Sequence, residues 1–132
     1  LKTTRIIANL VGLMLFVQVI LGGSAPLLGV PIIYHLVWGA ATFIVLIVAT
    51  FYAATELGSK STLFRTGVAA IADYIVQIIL GVVALGLNGY VVLVHLTNAF
   101  VLGVLVTYLI SFADNADKAS AHVLPQLKPA ST

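Results

Sequence analysis

The sequence predicts an all-α membrane protein in which four transmembrane helices form an up-down-up-down bundle. Hydrophobic residues make up 61% of the 132 residues and charged residues only 8%, whereas a soluble domain carries about 25% charged residues. The mean hydropathy is correspondingly high, at +1.18. The apolar residues fall into four long runs, Ile6–Leu21, Ile32–Tyr52, Phe64–Leu87 and Val91–Phe112.

Each run has about the length that a membrane-crossing helix needs. At about 1.5 Å per residue, roughly 20 residues cross a hydrocarbon core of about 30 Å, whereas a barrel strand needs about half that number. The first run follows Lys2 and Arg5 and ends in small residues, as a signal peptide does. It is longer than the apolar part of a signal peptide and matches the third run, which lies mid-chain. We therefore interpret it as the first span.

The positions of the basic residues predict the orientation of these spans. Lys and Arg occur before the first run, between the second and third, and after the fourth: Lys2, Arg5, Lys60, Arg65, Lys118 and Lys128. The connections Gly22–Pro31 and Asn88–Gly89 contain neither. Because cytoplasmic segments carry the excess of Lys and Arg, we expect both termini on the cytoplasmic side of the plasma membrane. The polar segment 114–132 is expected to form a cytoplasmic tail that is disordered when left alone.

The two halves of the chain repeat one helical hairpin, in residues 5–57 and 64–112. The corresponding residues lie 59 or 60 positions apart: Gln18 with Gln77, Gly22 with Gly81, and His35 with His95. Because each repeat contains two spans, both copies have the same orientation. They are expected to be related by a pseudo-twofold axis along the membrane normal.

His35 and His95 are expected at similar depth, about one turn inside the outer ends of spans two and four. These spans are diagonal in the bundle, and their axes would lie roughly 11–14 Å apart, a gap that can take two imidazoles and one metal ion. Gly39 and Ala99, four residues further on, would leave room for a flat macrocycle. Zinc and copper prefer three or four ligands, so the pattern favours one haem b with two histidine ligands. The alternative is that both histidines are hydrogen-bonding packing residues.

Further small or polar residues are candidates for contact with this cofactor. Gln18 and Gln77 are expected to face the bundle centre and to hydrogen-bond around the haem edge or its propionates. The remaining candidates stand four residues after a glutamine, or directly before or three residues after a histidine: Gly22, Gly81, Tyr34, Trp38 and Asn98.

Asp73 is an acidic residue near the middle of the third span. A charged carboxylate at this depth costs roughly 3 kcal/mol or more, so Asp73 is a candidate for a proton relay or for part of a quinone site. Its counterpart in the first repeat is Met14, so it breaks the symmetry. The alternative is a neutral carboxyl that hydrogen-bonds to Asn98, Asn9 or a backbone carbonyl.

The repeated motifs resemble those of the haem A synthase family. The matching segments are "QVILGG" (18–23), "YHL" (34–36), "QIILG" (77–81) and "VHL" (94–96). The resemblance implies one four-helix half of that enzyme, with histidines on its second and fourth helices. The family's catalytic half carries Glu-x-x-His-Arg, where this chain has Ile32 and Leu36 around His35. The chain is therefore more similar to the half that only holds a haem b.

Residues 1–113 are thus predicted to form a haem-binding domain of a b-type membrane cytochrome, an electron-transfer protein in a respiratory or quinone-linked chain. The alternatives are a compact haem A synthase-like enzyme and a non-redox accessory subunit of a membrane complex. The expected partners are the lipid bilayer, a quinone or redox subunits, and a second copy or a larger respiratory complex. The absence of cysteine excludes disulfides, iron–sulfur clusters and covalently attached haem, and the net charge of +2 does not indicate nucleic acid.

Overall fold

The computed structural model describes residues 1–86 and 89–123, which form four long α-helices. Their bounds are α1 Lys2–Leu28, α2 Ile32–Leu57, α3 Thr62–Ala84 and α4 Gly89–Val123. Each is long and apolar enough to cross a membrane. The predicted all-α, multi-pass membrane class is therefore confirmed. The predicted end of the third span at Leu87, the Asn88 turn and the tail beyond Val123 lie outside the described residues.

The helices are arranged as a ring. Helix α1 packs against α2 and α4, and α3 packs against the same two helices. Across the described residues, the diagonal pairs α1 with α3 and α2 with α4 do not approach closely through their backbones. The two helices that carry the histidines therefore face each other across the centre of the ring.

The outer surface of the ring is apolar. Phe16, Phe51 and Phe100 are each between 65% and 72% exposed, and an uninterrupted surface of this kind is suited to lipid rather than to water. Two threonine hydroxyls on this surface are satisfied inside their own helix: Thr97 donates to the carbonyl of Leu93, and Thr107 donates to that of Gly103. No polar partner from the lipid is needed for them.

The buried apolar core occupies one half of the bundle. Its residues are Ala8, Val11, Leu15, Leu46, Ala49, Ala53, Leu63, Ala70, Tyr74, Leu102, Val106, Leu109 and Ala113. The other half consists of the end of α1, the start of α2, the end of α3 and the start of α4. Among its described positions, 16–28, 32–41, 75–84 and 89–101, only Gly39 is buried. We call this second part the open half, and it contains both histidines.

The connection after α1 is shorter than predicted. The sequence predicts an irregular segment from Gly22 to Pro31, but α1 continues to Leu28 and includes Pro26. Gly29 ends the helix by adopting a left-handed conformation, with φ 69°, which glycine does without the penalty of a Cβ atom. The helix therefore ends at the glycine whose backbone turns, and the earlier Gly22 remains helical.

The segment from residue 114, expected to be disordered when left alone, is helical in its described part, where α4 continues to Val123. Two ion pairs stabilise this extension. Arg5 Nη1 of α1 lies 2.9 Å from Asp117 Oδ2, and Lys118 Nζ lies 2.6 Å from Asp114 Oδ2 one turn before it. The first pair joins the beginning of α1 to the extension, which gives the polar turns a packing partner within the same chain.

Helices α2 and α3 approach closely at Gly67, and this contact provides a test of the packing. A Cβ atom at Gly67 would overlap the side chain of Thr50, whereas a Cβ atom at Gly103 would meet nothing within 4 Å. We expect Gly67→Ala to lower the free energy of unfolding by about 1–3 kcal/mol, as overpacking does. Gly103→Ala should leave it unchanged or raise it, since alanine is the better helix former. Denaturant titration in detergent micelles measures both, and an equal response would contradict the described packing.

Candidate functional site at the open half

The open half brings the two membrane histidines together. His35 lies in the first turn of α2 and His95 in the second turn of α4. Their ring centroids are 6.4 Å apart and their ring planes are inclined by 78°. Both side chains are partly buried. Residues 60 positions apart in the sequence thus form one cluster between diagonal helices.

The contacts of His35 determine which of its nitrogens carries the proton. Its Nδ1 lies 3.1 Å from the backbone oxygen of Gln18, and its Nε2 lies 3.4 Å from the side-chain Nε2 of the same residue. A carbonyl oxygen only accepts hydrogen bonds, and an amide nitrogen only donates them. The Nδ1 is therefore the protonated nitrogen, and the Nε2 lone pair accepts a long hydrogen bond from the Gln18 amide.

His95 has the equivalent arrangement on α3 and α4. The side chain of Gln77 donates from Nε2 to the backbone oxygen of His95 at 3.0 Å, and its Oε1 accepts from Asn98 Nδ2 at 2.9 Å. These two bonds determine the orientation of the Gln77 amide. Its Nε2, a donor, then lies 3.4 Å from His95 Nε2, so this ring nitrogen is unprotonated and accepts a long hydrogen bond through its lone pair. His95 Nδ1 is buried and has no hydrogen-bond partner among the described residues.

Glycine lets each histidine ring lie against the helix before it. A Cβ atom at Gly22 would be 2.8 Å from Cε1 of His35, and one at Gly81 would be 3.1 Å from Cε1 of His95. Real Cβ atoms do not approach other atoms so closely as the first of these distances. The glycine four residues after each repeated glutamine, Gly22 or Gly81, therefore allows the ring to lie in this position.

The sequence predicts that Gly39 leaves room for a macrocycle, but the structure places the side chain of Gln18 beside it. A Cβ atom there would lie 2.6 Å from Gln18 Nε2, so Gly39 makes room for the glutamine amide. Its carbonyl oxygen accepts a hydrogen bond of 3.0 Å from the hydroxyl of Tyr74. Ala99 is partly buried and lines an apolar groove of about 780 Å³ between α1 and α4, together with Gly12 and Val19.

The other two aromatic candidates lie outside the imidazole cluster. Trp38 donates from Nε1 to the backbone oxygen of Met14 at 2.8 Å, which joins α2 to α1 one turn below the histidine. Tyr34 is 58% exposed and does not share the burial of the cluster. The residues that sequence reasoning missed are Met14 and Tyr74. The internal repeat could have identified Met14. It corresponds to Asp73, and its hydrogen-bond partner Trp38 corresponds to Asn98, the neighbour of Asp73.

Asp73 extends the polar cluster on the α3 side. It is partly buried and lies beside Asn98, and its Oδ2 is buried without a hydrogen-bond partner among the described residues. Asn9, the other amide considered for it, instead donates to the backbone oxygen of Arg5 at 2.9 Å. The polar cluster of the open half therefore consists of Gln18 and His35 on one side and, on the other, of Asp73, Gln77, His95 and Asn98.

The donor set fits two axial ligands better than a metal ion held by protein alone. In residues 1–86 and 89–123, no three His, Cys, Asp or Glu side chains come together, as a structural zinc site would require. A metal–imidazole bond of about 2 Å and a ring radius of about 1.2 Å place the centroids of two opposed ligands about 6 Å apart. The observed centroid separation of 6.4 Å is close to that spacing, and neither Nε2 carries the ring proton.

The protonation of the rings gives a direct test of this geometry. We expect both His35 and His95 to carry a bare Nε2 in the apoprotein at neutral pH, because an amide donor faces each of these nitrogens. Nitrogen-15 NMR of histidine-labelled protein measures the tautomer, and His122, which lies in the polar end of α4, serves as the internal reference. A proton on Nε2 of His35 would contradict the described contacts.

Known proteins provide no further guide to the site. No model of a protein family matches the chain, and neither a curated protein nor a solved structure matches it. The functional argument therefore depends on the chain's own residues, above all on two imidazoles from diagonal helices whose Nε2 atoms are unprotonated and held only by long contacts with glutamine amides.

Proposed function

We propose that the chain is a four-helix membrane cytochrome b that holds one haem b between His35 and His95 and transfers electrons in a respiratory or quinone-linked chain. The observation that carries the proposal is the pair of imidazoles 6.4 Å apart with bare Nε2 atoms. Haem, when bound, supplies reversible one-electron chemistry at its iron. The protein needs only to hold the two ligands, exclude water and tune the potential.

The residues around the histidines support this role. The Gln18 carbonyl oxygen accepts from Nδ1 of His35, and such a bond keeps a ligating ring in one tautomer and increases its basicity. The contacts between Nε2 of each ring and a glutamine amide are long, at 3.4 Å, so a metal would replace only a weak hydrogen bond. The N-termini of α2 and α4 supply unpaired N–H groups that suit haem propionates.

Electron transfer is favoured over haem modification by what surrounds His35. The resemblance to haem A synthase covers the glutamine, glycine and histidine positions, but the catalytic Glu and Arg of that family are replaced by Ile32 and Leu36. Both are apolar and at least 40% exposed. No acid or guanidinium is therefore available next to His35 for oxidation chemistry of that kind.

The proposal includes a topology. The four helices cross the plasma membrane up-down-up-down, with both termini in the cytoplasm, because the described Lys and Arg residues lie at the core end of the bundle. Thr4 at the start of α1 donates to Glu56 at the end of α2, and Arg5 pairs with Asp117 at the end of α4. The histidines are then near the outer face, within reach of a quinone or a partner subunit. The exposed apolar surface suits a second copy or a larger complex as well as lipid.

An absorption spectrum tests the cofactor. We expect purified protein to show a Soret band and, when reduced, low-spin α-bands, because two imidazoles give a six-coordinate iron. Both His35→Ala and His95→Ala should lose these bands while their circular dichroism stays helical. Haem extracted from the protein should be haem b. A colourless protein would instead support the accessory-subunit interpretation, and hydroxylated or formylated haem would support a haem A synthase-like enzyme.

A pair of neighbouring glycines provides the matched control. Gly22→Ala places a Cβ atom 2.8 Å from the His35 ring, whereas Gly23→Ala meets nothing within 4 Å. Haem affinity should fall about tenfold or more in the first variant, as it does when a ligating ring is misplaced, and should be retained in the second. Titration of the apoproteins with haem measures both.

Cysteine labelling tests the topology, since the natural chain contains no cysteine. We expect a membrane-impermeant maleimide added to intact cells to label Leu28→Cys, which lies at the histidine end of α1. Ser59→Cys and Ala121→Cys should react only after permeabilisation. Labelling of Ser59→Cys in intact cells would contradict the proposed orientation, and the cysteine-free chain measures the background.

A further inference from the structure

The two sides of the histidine cluster are alike in backbone arrangement but unlike in polarity. In the first repeat, Trp38 donates from Nε1 to the backbone oxygen of Met14 at 2.8 Å. These positions therefore carry two largely apolar side chains, and the indole N–H, their polar group, has a partner. The corresponding positions in the second repeat are Asp73 and Asn98. Here a carboxyl oxygen, Oδ2 of Asp73, is buried without a partner. A carboxyl group is thus present on one side of the cluster only.

Hydrogen bonds connect this side to His95. Asn98, which lies beside Asp73, donates to Gln77 Oε1 at 2.9 Å, and Gln77 donates to the backbone oxygen of His95 at 3.0 Å. The Gln77 amide also lies 3.4 Å from His95 Nε2. Two amides therefore separate Asp73 from the His95 imidazole, and the carboxyl is linked to the ring through them rather than by direct contact.

Among the residues that the structure describes, no Lys or Arg lies near enough to neutralise a carboxylate at this position. From α4 the groups facing the cluster are Asn98 and His95, and from α2 the group is His35. Tyr74, next to Asp73 on α3, donates its hydroxyl to the carbonyl of Gly39. On α1 the corresponding residue is Met14. The described Lys and Arg residues are all in or beside the core end of the bundle: Lys2, Arg5, Lys60, Arg65 and Lys118. An unpaired charge at this depth is costly.

We infer that Asp73 is the proton-binding group of this cluster, taking up one proton when the iron held by His35 and His95 gains an electron and releasing it when the electron leaves. The inference rests on the proposed function. The electron comes from the one-electron donor that precedes this protein in the proposed respiratory or quinone-linked chain, and the proton comes from water. With haem bound, its iron would accept the electron, and the Asp73 carboxylate takes up the proton and becomes a neutral carboxyl. The net charge of the open half is then the same before and after, which a medium of low dielectric constant favours.

The test is a redox titration at several pH values, with dithionite as the reductant and ferricyanide as the oxidant. We expect the midpoint potential of the wild-type protein to fall as the pH rises. Asp73→Asn should have a higher potential that no longer depends on pH, because the amide has the shape of the acid but cannot ionise. Asp114→Asn, the same substitution at the other end of the bundle, should behave as the wild type does.

Infrared difference spectra give a second measurement that does not depend on any variant folding. Reduction of the wild-type protein should produce the carbonyl stretch of a newly protonated carboxyl group, and labelling with carbon-13 aspartate should shift it. A wild-type potential independent of pH, or a reduction spectrum without this band, overturns the inference even if the haem spectrum is present. A missing Soret band refutes the proposed function instead, so the two failures are distinguishable.

Discussion

The close approach of a histidine ring to a glycine on the preceding helix is the contact on which the open half depends. Gly22 and Gly81 have no Cβ atom to displace the rings of His35 and His95, so the imidazoles lie over the backbone of α1 and α3. From that position His35 can donate to the Gln18 carbonyl. The other nitrogen, Nε2, is then unprotonated and has only a long contact with the Gln18 amide. A single methyl group at either glycine would alter the direction of a lone pair.

This contact lies in the open half of a bundle whose large buried side chains are all at the other end. The large side chains that fill the core half, such as Leu46 and Leu109, are absent from the centre of the open half, where only Gly39 is buried. A membrane bundle gains little from a hydrophobic effect between helices and depends on close packing and hydrogen bonds. The core half and the Arg5–Asp117 ion pair therefore stabilise the four helices, and this leaves the other half able to hold polar groups.

The helices and the histidine pair could be predicted from the sequence because hydrophobic length and an internal repeat are local patterns. The ends of the helices could not. The end of α1 is set by which glycine adopts a positive φ, namely Gly29, and the length of α4 is set by an ion pair with Arg5, over a hundred residues away. Likewise, the contact of Gly39 with Gln18 depends on how α1 and α2 are aligned along their axes, which no spacing within one helix reveals.

The asymmetry between the two repeats follows from what each kind of ligand requires. The two ligands of the proposed haem are equivalent, so each copy of the repeated hairpin would supply the same glutamine, glycine and histidine. A proton needs only one site, and a second carboxylate in the same low-dielectric region would be repelled by the first. On the proposed function, Met14 with Trp38 and Asp73 with Asn98 are the two solutions expected at equivalent positions if one side were to hold only the metal and the other were also to balance its charge.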